Sequence, residues 1–288
     1  MRVIEHPTEM QLFSNNIRQT HQSIGFVPTM GYLHQGHISL LDAARQQSDQ
    51  VVLSIFVNPT QFSPGEDLSV YPKDLPKDLD IAEKAGVDIV FTPTDKDLYG
   101  DHYQTYVQLK QLPNYLCGIH RPTHFQGVAT VVTKLFNMVK PHVAFFGEKD
   151  YQQLAVIRQM VQDLNFDITI IGCPIVRESD GLAMSSRNVY LSKEQRQTAL
   201  ILSQSLYRSQ QKVTKGITDA ETLINEAKKD IESLPETRID YVRICNKDTL
   251  EDLPEVMMDG LMALAVHVGR TRLIDNRILT REYCTVKA

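Results

Sequence analysis

The sequence predicts an α/β fold: a parallel sheet with helices on both faces, followed by a smaller C-terminal α+β domain. Three observations predict it. Through residue 176, short apolar runs alternate with amphipathic stretches of helical spacing. Those runs are nearly continuous in Val, Ile and Phe, as strands buried on both faces are. After about residue 177 the alternation stops, and two long polar helical stretches precede three short alternating runs.

The elements follow in order. "IGFVP" (24–28), "QVVLSIFVN" (50–58), "VDIVFTP" (87–93), "VAFFGE" (143–148) and "DITIIGCPIV" (167–176) read as strands. Between them "HISLLDAARQQS", "PKDLDIAEKAG", "VATVVTKLFNMV" and "DYQQLAVIRQMVQDL" have helical spacing; Ile38, Leu41 and Ala44 share one face of the first. Strand–helix alternation implies right-handed crossovers and a Rossmann-like sheet, in which ligands gather at the carboxyl ends of the strands. Helices are expected at 193–213 and 219–233, then strands at "IDYVRICN", "LMALAVHVG" and "TRLIDNRIL". The division is therefore 1–176 and 177–288. "FSPGEDLSVYPKDLP" (62–76) reads as a loop long enough to serve as a lid, or as an ordinary surface connection.

The chain of 288 residues suits one large or two modest domains that bury a core without staples. A net charge of −5 argues against a general nucleic-acid or membrane-surface binder. Cys117, Cys173, Cys245 and Cys284 are scattered with no C-x-x-C, which fits a reducing compartment. The N-terminus lacks a long apolar stretch, and no run approaches ~18 apolar residues, so a soluble cytoplasmic protein is expected.

"VPTMGYLHQGH" (27–37) places a glycine-bounded loop between a strand and a helix start. Such a helix start presents backbone N–H groups and a positive dipole end, a natural phosphate cradle. The G-x4-G spacing of Gly31 and Gly36 resembles a P-loop, but His37 stands where Lys is needed, and no G-x-G-x-x-G occurs. Two imidazoles here suit charge developing on a phosphoryl group. The rival readings are a metal site, which lacks an evident third ligand, and a plain capping turn. "GLAMSSRN" (181–188) offers Arg187 and two hydroxyls to phosphate oxygens, or simply a Ser-rich helix cap. "FVNPTQF" brings Asn58 and Gln61 to one strand end, and "FGEKDYQQ" brings Lys149, Asp150 and Gln153 to another. Read alone, "DYQQ" is an ordinary N-cap. "RPTHFQGVATVV" adds Arg121 and His124 before a further helix start.

H-x-G-H at 34–37 resembles the signature of the nucleotidyltransferase superfamily. In order, "FVPTMGYLHQGH", "SIFVNPTQF", "GEDLSVYPKDL", "RPTHFQGVATVV", "FGEKDYQQLAVIRQM", "ESDGLAMSSRNVYL" and "RLIDN" resemble the pantothenate synthetase (pantoate–β-alanine ligase) family over nearly the whole chain. The resemblance implies an ATP-dependent, AMP-forming ligase that condenses pantoate with β-alanine through a pantoyl adenylate, releasing pyrophosphate. It implies that Met30, Gly31, Tyr32, Leu33, His34, Gln35, Gly36 and His37 line the ATP site, with His34 and His37 on phosphates and His37 as phosphate stabiliser or proton donor. It places Gly147, Glu148, Lys149 and Asp150 at the nucleotide, Val176 near adenine, and Met184, Ser185, Ser186 and Arg187 as a second phosphate loop. His37, His34, Lys149 and Arg187 are the implied catalytic set; Gln61, Gln153 and Asn58 are implied for the organic substrates.

By the same resemblance Mg2+ accompanies ATP, no metal is held by the protein itself, and the partner is a second copy in a homodimer, with no nucleic acid and no membrane. Two departures stand out: Thr123 where the family commonly has glycine, and Cys117 where it often has an acidic residue. The alternatives are another adenylyl- or cytidylyltransferase of the same fold, and a non-catalytic nucleotide-binding regulator.

Overall fold

The structure, a computed structural model, describes residues 1–63 and 65–281. Cys284 and Pro64 of the 62–76 segment therefore lie outside the described residues. Two compact units emerge, one of Met1–Pro113 with Arg121–Val176, the other of Asn114–His120 with the chain from Arg177 onward.

In the first unit β1 (Arg2–Ile4), α1 (Pro7–Gln19), β2 (Ile24–Thr29), α2 (Gln35–Gln47), β3 (Gln50–Ile55), α3 (Leu75–Lys84), β4 (Ile89–Phe91) and α4 (Asp95–Leu98) follow one another. The chain then lends α5 (Leu116–His120) to the second unit and returns with α6 (His124–Val139), β5 (Val143–Gly147), α7 (Tyr151–Asp163) and β6 (Thr169–Cys173). The six strands form one sheet in the order β1-β4-β3-β2-β5-β6, and every pairing is parallel. Winding runs outward from β2 through β3 to β4, then reverses at β5 and continues to β6. With right-handed crossovers, that reversal puts the helices of the two halves on opposite faces. Successive residues show it. Val27 and Phe145 pack with Leu41 and Ala44 of α2 and Ala82 of α3, whereas Phe26 and Phe146 each meet Phe136 of α6.

The second unit contains α8 (Lys193–Ala199), α9 (Ile201–Thr214), α10 (Ala220–Glu232), β7 (Thr237–Cys245), β8 (Asp259–Val268) and β9 (Thr271–Thr280) besides α5. Its sheet is antiparallel, ordered β7-β8-β9. Met262, Leu264, Val266 and Val268, alternate residues of β8, pack against Leu202, Leu206 and Val213 of α9 and Leu223, Ala227 and Ile231 of α10.

Sequence and structure differ at four places. β1 and α1 are not among the elements expected from the sequence. Two of the three β1 residues are exposed, and α1 buries only Met10 and Ser14. The strand expected at 167–176 ends at Cys173, because Pro174 has no N–H for the ladder. The helix expected at 193–213 is two helices meeting at Leu200. Asn114–His120 joins the second unit, where the buried Cys117 Sγ lies 3.1 Å from the Tyr241 hydroxyl and 3.6 Å from the Arg272 guanidinium. Among the described residues no helix is long and apolar enough to cross a membrane.

Candidate active site

The winding reversal falls between β2 and β5, and open α/β sheets bind ligands at the carboxyl end of such a switch point. Three of the expected segments leave the sheet there. Met30 to His37 follow β2, Asn58 and Gln61 follow β3, and Glu148 to Gln153 follow β5. Val176 lies beyond the end of β6 on the neighbouring strand.

A helix start needs a cap, and at α2 the imidazoles are the cap. His34 is the N-cap residue, and its Nδ1 accepts the Gly36 N–H at 3.1 Å. Reciprocally, His37 Nδ1 accepts the His34 N–H at 3.2 Å. This is a capping box written in histidine rather than Ser and Glu. The two rings lie 4.1 Å apart, centroid to centroid. A backbone N–H can only donate, so both Nδ1 atoms are unprotonated acceptors, and each neutral ring carries its proton on Nε2. Desolvation within the site lowers the His37 pKa to about 3, with the Lys149 charge adding to the effect, although part of the residue still meets solvent. His37 is thus a neutral Nε2–H donor in the unliganded protein.

The loop before the helix is equally committed. Gly31 has φ +84° and Tyr32 φ +51°, the left-handed region that costs a non-glycine residue free energy. Thr29 Oγ1 accepts the Gly31 N–H at 3.2 Å. The buried carboxylate of Asp78, on α3, accepts the Tyr32 N–H at 2.8 Å and the Leu33 N–H at 2.7 Å. A Cβ on Gly31 would stand 2.9 Å from Asp78 Oδ2. The backbone donors of residues 31–34 therefore serve protein acceptors.

Gln61 is buried and held at both ends. Its carbonyl accepts from Arg121 Nη2 at 3.2 Å and from His124 Nδ1 at 2.7 Å; its side-chain oxygen accepts from Asn58 Nδ2 at 3.2 Å, and its Nε2 lies 2.8 Å from Met30 Sδ. His124 therefore has its proton on Nδ1, and its Nε2 accepts from Arg121 at 3.2 Å. Burial, with Arg121 beside it, lowers the His124 pKa to about 4. Arg121 also forks onto Glu66 of the 62–76 segment at 2.6 and 2.8 Å. A Cβ on Gly127 would fall 2.4 Å from the Thr60 carbonyl, so only glycine lets α6 approach the turn that carries Gln61.

Some expectations change on these contacts. Asn58 is 1% exposed. Its amide donates to Gln61 and to the Gly127 carbonyl, and it accepts from Thr60 and the Tyr99 hydroxyl. Asn58 orients Gln61 rather than facing a ligand. Asp150 begins α7 without a side-chain cap bond and stands 4.0 Å from Lys149 Nζ, so "DYQQ" is not the plain N-cap its spelling suggests. Gln153 sits half-buried in the first turn of α7, whereas its neighbour Gln152 is buried and donates to the Leu112 carbonyl. Thr123 has φ −97°, which any residue adopts, so the loss of glycine there brings no backbone strain. Asp78 was invisible in the sequence, where an acidic residue in a first helical turn reads as a dipole partner.

In the second unit Ser185 caps the short 3-10 turn Ser186–Tyr190 by accepting the Arg187 N–H at 3.3 Å. The chain before it is braced by the buried Asp275 of β9, which takes Arg177 in two bonds of 2.7 and 2.9 Å. Arg177 also donates to the Gly181 carbonyl at 3.2 Å. This explains the "RLIDN" marker as an anchor for the loop 177–187.

A doubly wound parallel sheet with paired imidazoles at its switch point defines an α/β enzyme of nucleotide chemistry. The family model described as pantoate-beta-alanine ligase matches residues 2–278. The chain is 54% identical to the pantothenate synthetase of Desulfatibacillum aliphaticivorans over 97% of its own length and 99% of that protein. The solved pantothenate synthetase of Thermus thermophilus superposes with a TM-score of 0.91 at 42% identity, covering 96% of this chain and 99% of that one. The pantoate-beta-alanine ligase of Francisella tularensis, solved with β-γ ATP and β-alanine, gives 0.81 at 36% identity over 96% and 97%. The chain belongs to the pantoate–β-alanine ligase family.

Proposed function

We infer that this protein joins pantoate to β-alanine at the expense of ATP. The pantoate carboxylate attacks the α-phosphorus and pyrophosphate leaves; the β-alanine amine then attacks the acyl carbon of the adenylate and AMP leaves, giving pantothenate. Support comes above all from the reciprocal His34–His37 box at the switch point of a chain whose family model and relatives carry this activity.

The roles follow from the chemistry of the residues. His34 and His37 donate Nε2–H bonds to phosphate oxygens, and Lys149, whose charge is already felt at His37, supplies formal positive charge. His37 acts as a stabiliser, since a ring neutral down to about pH 3 holds no second proton to give before ATP arrives. Met30 to His37, Gly147 to Asp150 and Val176 receive the nucleotide. Met184 to Arg187 serve as a further phosphate loop, with the Arg187 fork as its principal donor. Gln61 and Gln153 hold pantoate, Asn58 supporting the first. The 62–76 segment, tied by Glu66 to Arg121, covers the mixed anhydride against water. Mg2+ enters on the phosphates of ATP, as this hard cation usually does. The working form is a homodimer in the cytoplasm.

One assay tests the reading: protein, ATP, Mg2+ and pantoate are mixed with and without β-alanine. AMP release that needs both organic substrates supports it. Nucleotide transfer to another acceptor, or ATP binding without turnover, refutes it. Sedimentation velocity tests the dimer, which a single monomeric species would exclude.

A further inference from the structure

We propose that Asp78 is a positioning residue for the phosphates of ATP, acting through the backbone of the loop it holds. The inference rests on the reading that residues 30–37 receive those phosphates.

Four consecutive N–H groups, from Gly31 to His34, end on side-chain acceptors: Thr29, Asp78, Asp78 and His37. Asp78 supplies the middle two, at the only stretch of this loop where successive residues take positive φ. It does so from another element, the first turns of α3, and its side chain is 2% exposed. Each oxygen takes one amide, so the carboxylate works as a two-point clamp on the successive Gly31–Tyr32 and Tyr32–Leu33 peptides. The clamp sets where the chain enters His34, hence where the capping box places both imidazoles. The contact with Gly31 shows how little slack exists, since even a methyl there would collide with Asp78 Oδ2. A carboxylate beside an anion site works against anion binding by charge alone. Its place there is explained by geometry. Burial raises the pKa of this carboxyl and the two amides lower it, as a desolvated acceptor of two backbone bonds should behave.

Asp78→Asn is the sharpest probe. It is isosteric, yet its amide nitrogen must face one of the two N–H groups, so one bond becomes a donor–donor contact. In the Asn variant adenylate formation is expected to slow about ten-fold or more, with a smaller rise in KM for ATP, from the loss of a hydrogen bond to a charged group. Inhibition by inorganic pyrophosphate should weaken in parallel. KM for β-alanine and inhibition by AMP should move little, which a general loss of structure would not produce. Asp78→Glu, which keeps both acceptor oxygens, should recover part of the loss. His37→Ala is measured alongside. If it leaves the ATP step untouched, the underlying reading of the loop fails; if it impairs that step while folded Asp78→Asn does not, only the present inference fails. Should Asp78→Asn not fold, Asp78→Glu carries the kinetic test, and amide exchange on the wild-type protein adds to it. Tyr32 and Leu33 amides that exchange as fast as those of an open loop would overturn the proposal.

Discussion

The two loops proposed to receive phosphate, one in each unit, are built on opposite principles. Met30–His37 opens the 13-residue helix α2, and Asp78 fixes it through backbone amides. Met184–Arg187 leads into a 3-10 turn of 5 residues, and it is fixed through charge, Asp275 clamping Arg177 and Arg177 the Gly181 carbonyl. A short turn sums few peptide dipoles, so under the proposed function the second loop depends on the formal charge of Arg187. The first needs none on its own chain and presents neutral imidazoles held to a fixed tautomer. Phosphate recognition by dipolar donors thus demands a rigid backbone, whereas recognition by a guanidinium demands an anchored stem and tolerates the rest.

The largest effect on stability should come from breaking the charge anchor. Asp275→Ala removes two charge-assisted bonds from the partly exposed Arg177 and the bond from the Asn276 amide, a loss of about 2–3 kcal/mol. A chemical-denaturation midpoint within error of wild type would show that the second loop needs no such anchor. Next comes the chemistry of the first loop. His37→Ala should slow adenylate formation about 10²- to 10³-fold, the usual loss for one donor to developing charge, with ATP affinity far less affected. Rapid-quench measurement of the adenylation step alongside ATP binding decides it, and equal losses in both would mean that His37 binds ground and transition states alike.

A smaller effect sharpens the contrast by pH. His37 and His124 have folded pKa values of about 3 and about 4, both below their ordinary value of 6.5. Between those values and pH 6.5 the unfolded chain binds more protons, so the stability they contribute is complete above pH 6.5 and is lost as pH falls toward 4. Each contributes a slope approaching ~1.4 kcal/mol per pH unit at most. Replacing His124 by Gln should flatten that acid limb in denaturation curves collected from pH 4 to 7; an unchanged slope would show that His124 already carries a proton when folded. For the same reason kcat/KM for ATP should show no ionisation of His37 between pH 5 and 8. The smallest effect belongs to Ser185→Ala, which removes the cap on the second loop and should cost only about 0.5–2 kcal/mol locally. A loss of stability as large as that of Asp275→Ala would reverse the ranking of anchor over cap.

Much of this was legible in the order of residues. Five of the six parallel strands announce themselves through runs such as "VVLSIF" and "VAFFG", because strands covered on both faces must be apolar throughout. β1 stayed hidden because three residues set no period, whereas α1 does place Met10, Ser14 and Ile17 on one face and was simply not among the expected elements. His34, His37, Gln61 and Lys149 were readable as candidates because their residue types suit phosphate and hydroxyl chemistry. Asp78 was not, because it accepts bonds from a loop 46 positions away in the chain, and the clamp of Asp275 on Arg177, 98 positions away, showed only in the packed structure. Distances of that kind have no spelling.

By itself the sequence determined the alternation of strand and helix, the place of the winding reversal's loops, and the residue types available to a triphosphate. Tertiary structure alone decided that two histidines cap a helix through Nδ1 and so carry their protons on Nε2, and that carboxylates from α3 and β9 hold loops they never neighbour in sequence. The physical reason is that periodicity records which faces are buried, an average over many residues. A hydrogen bond depends on a few tenths of an ångström between two atoms, and only the packed chain sets that distance.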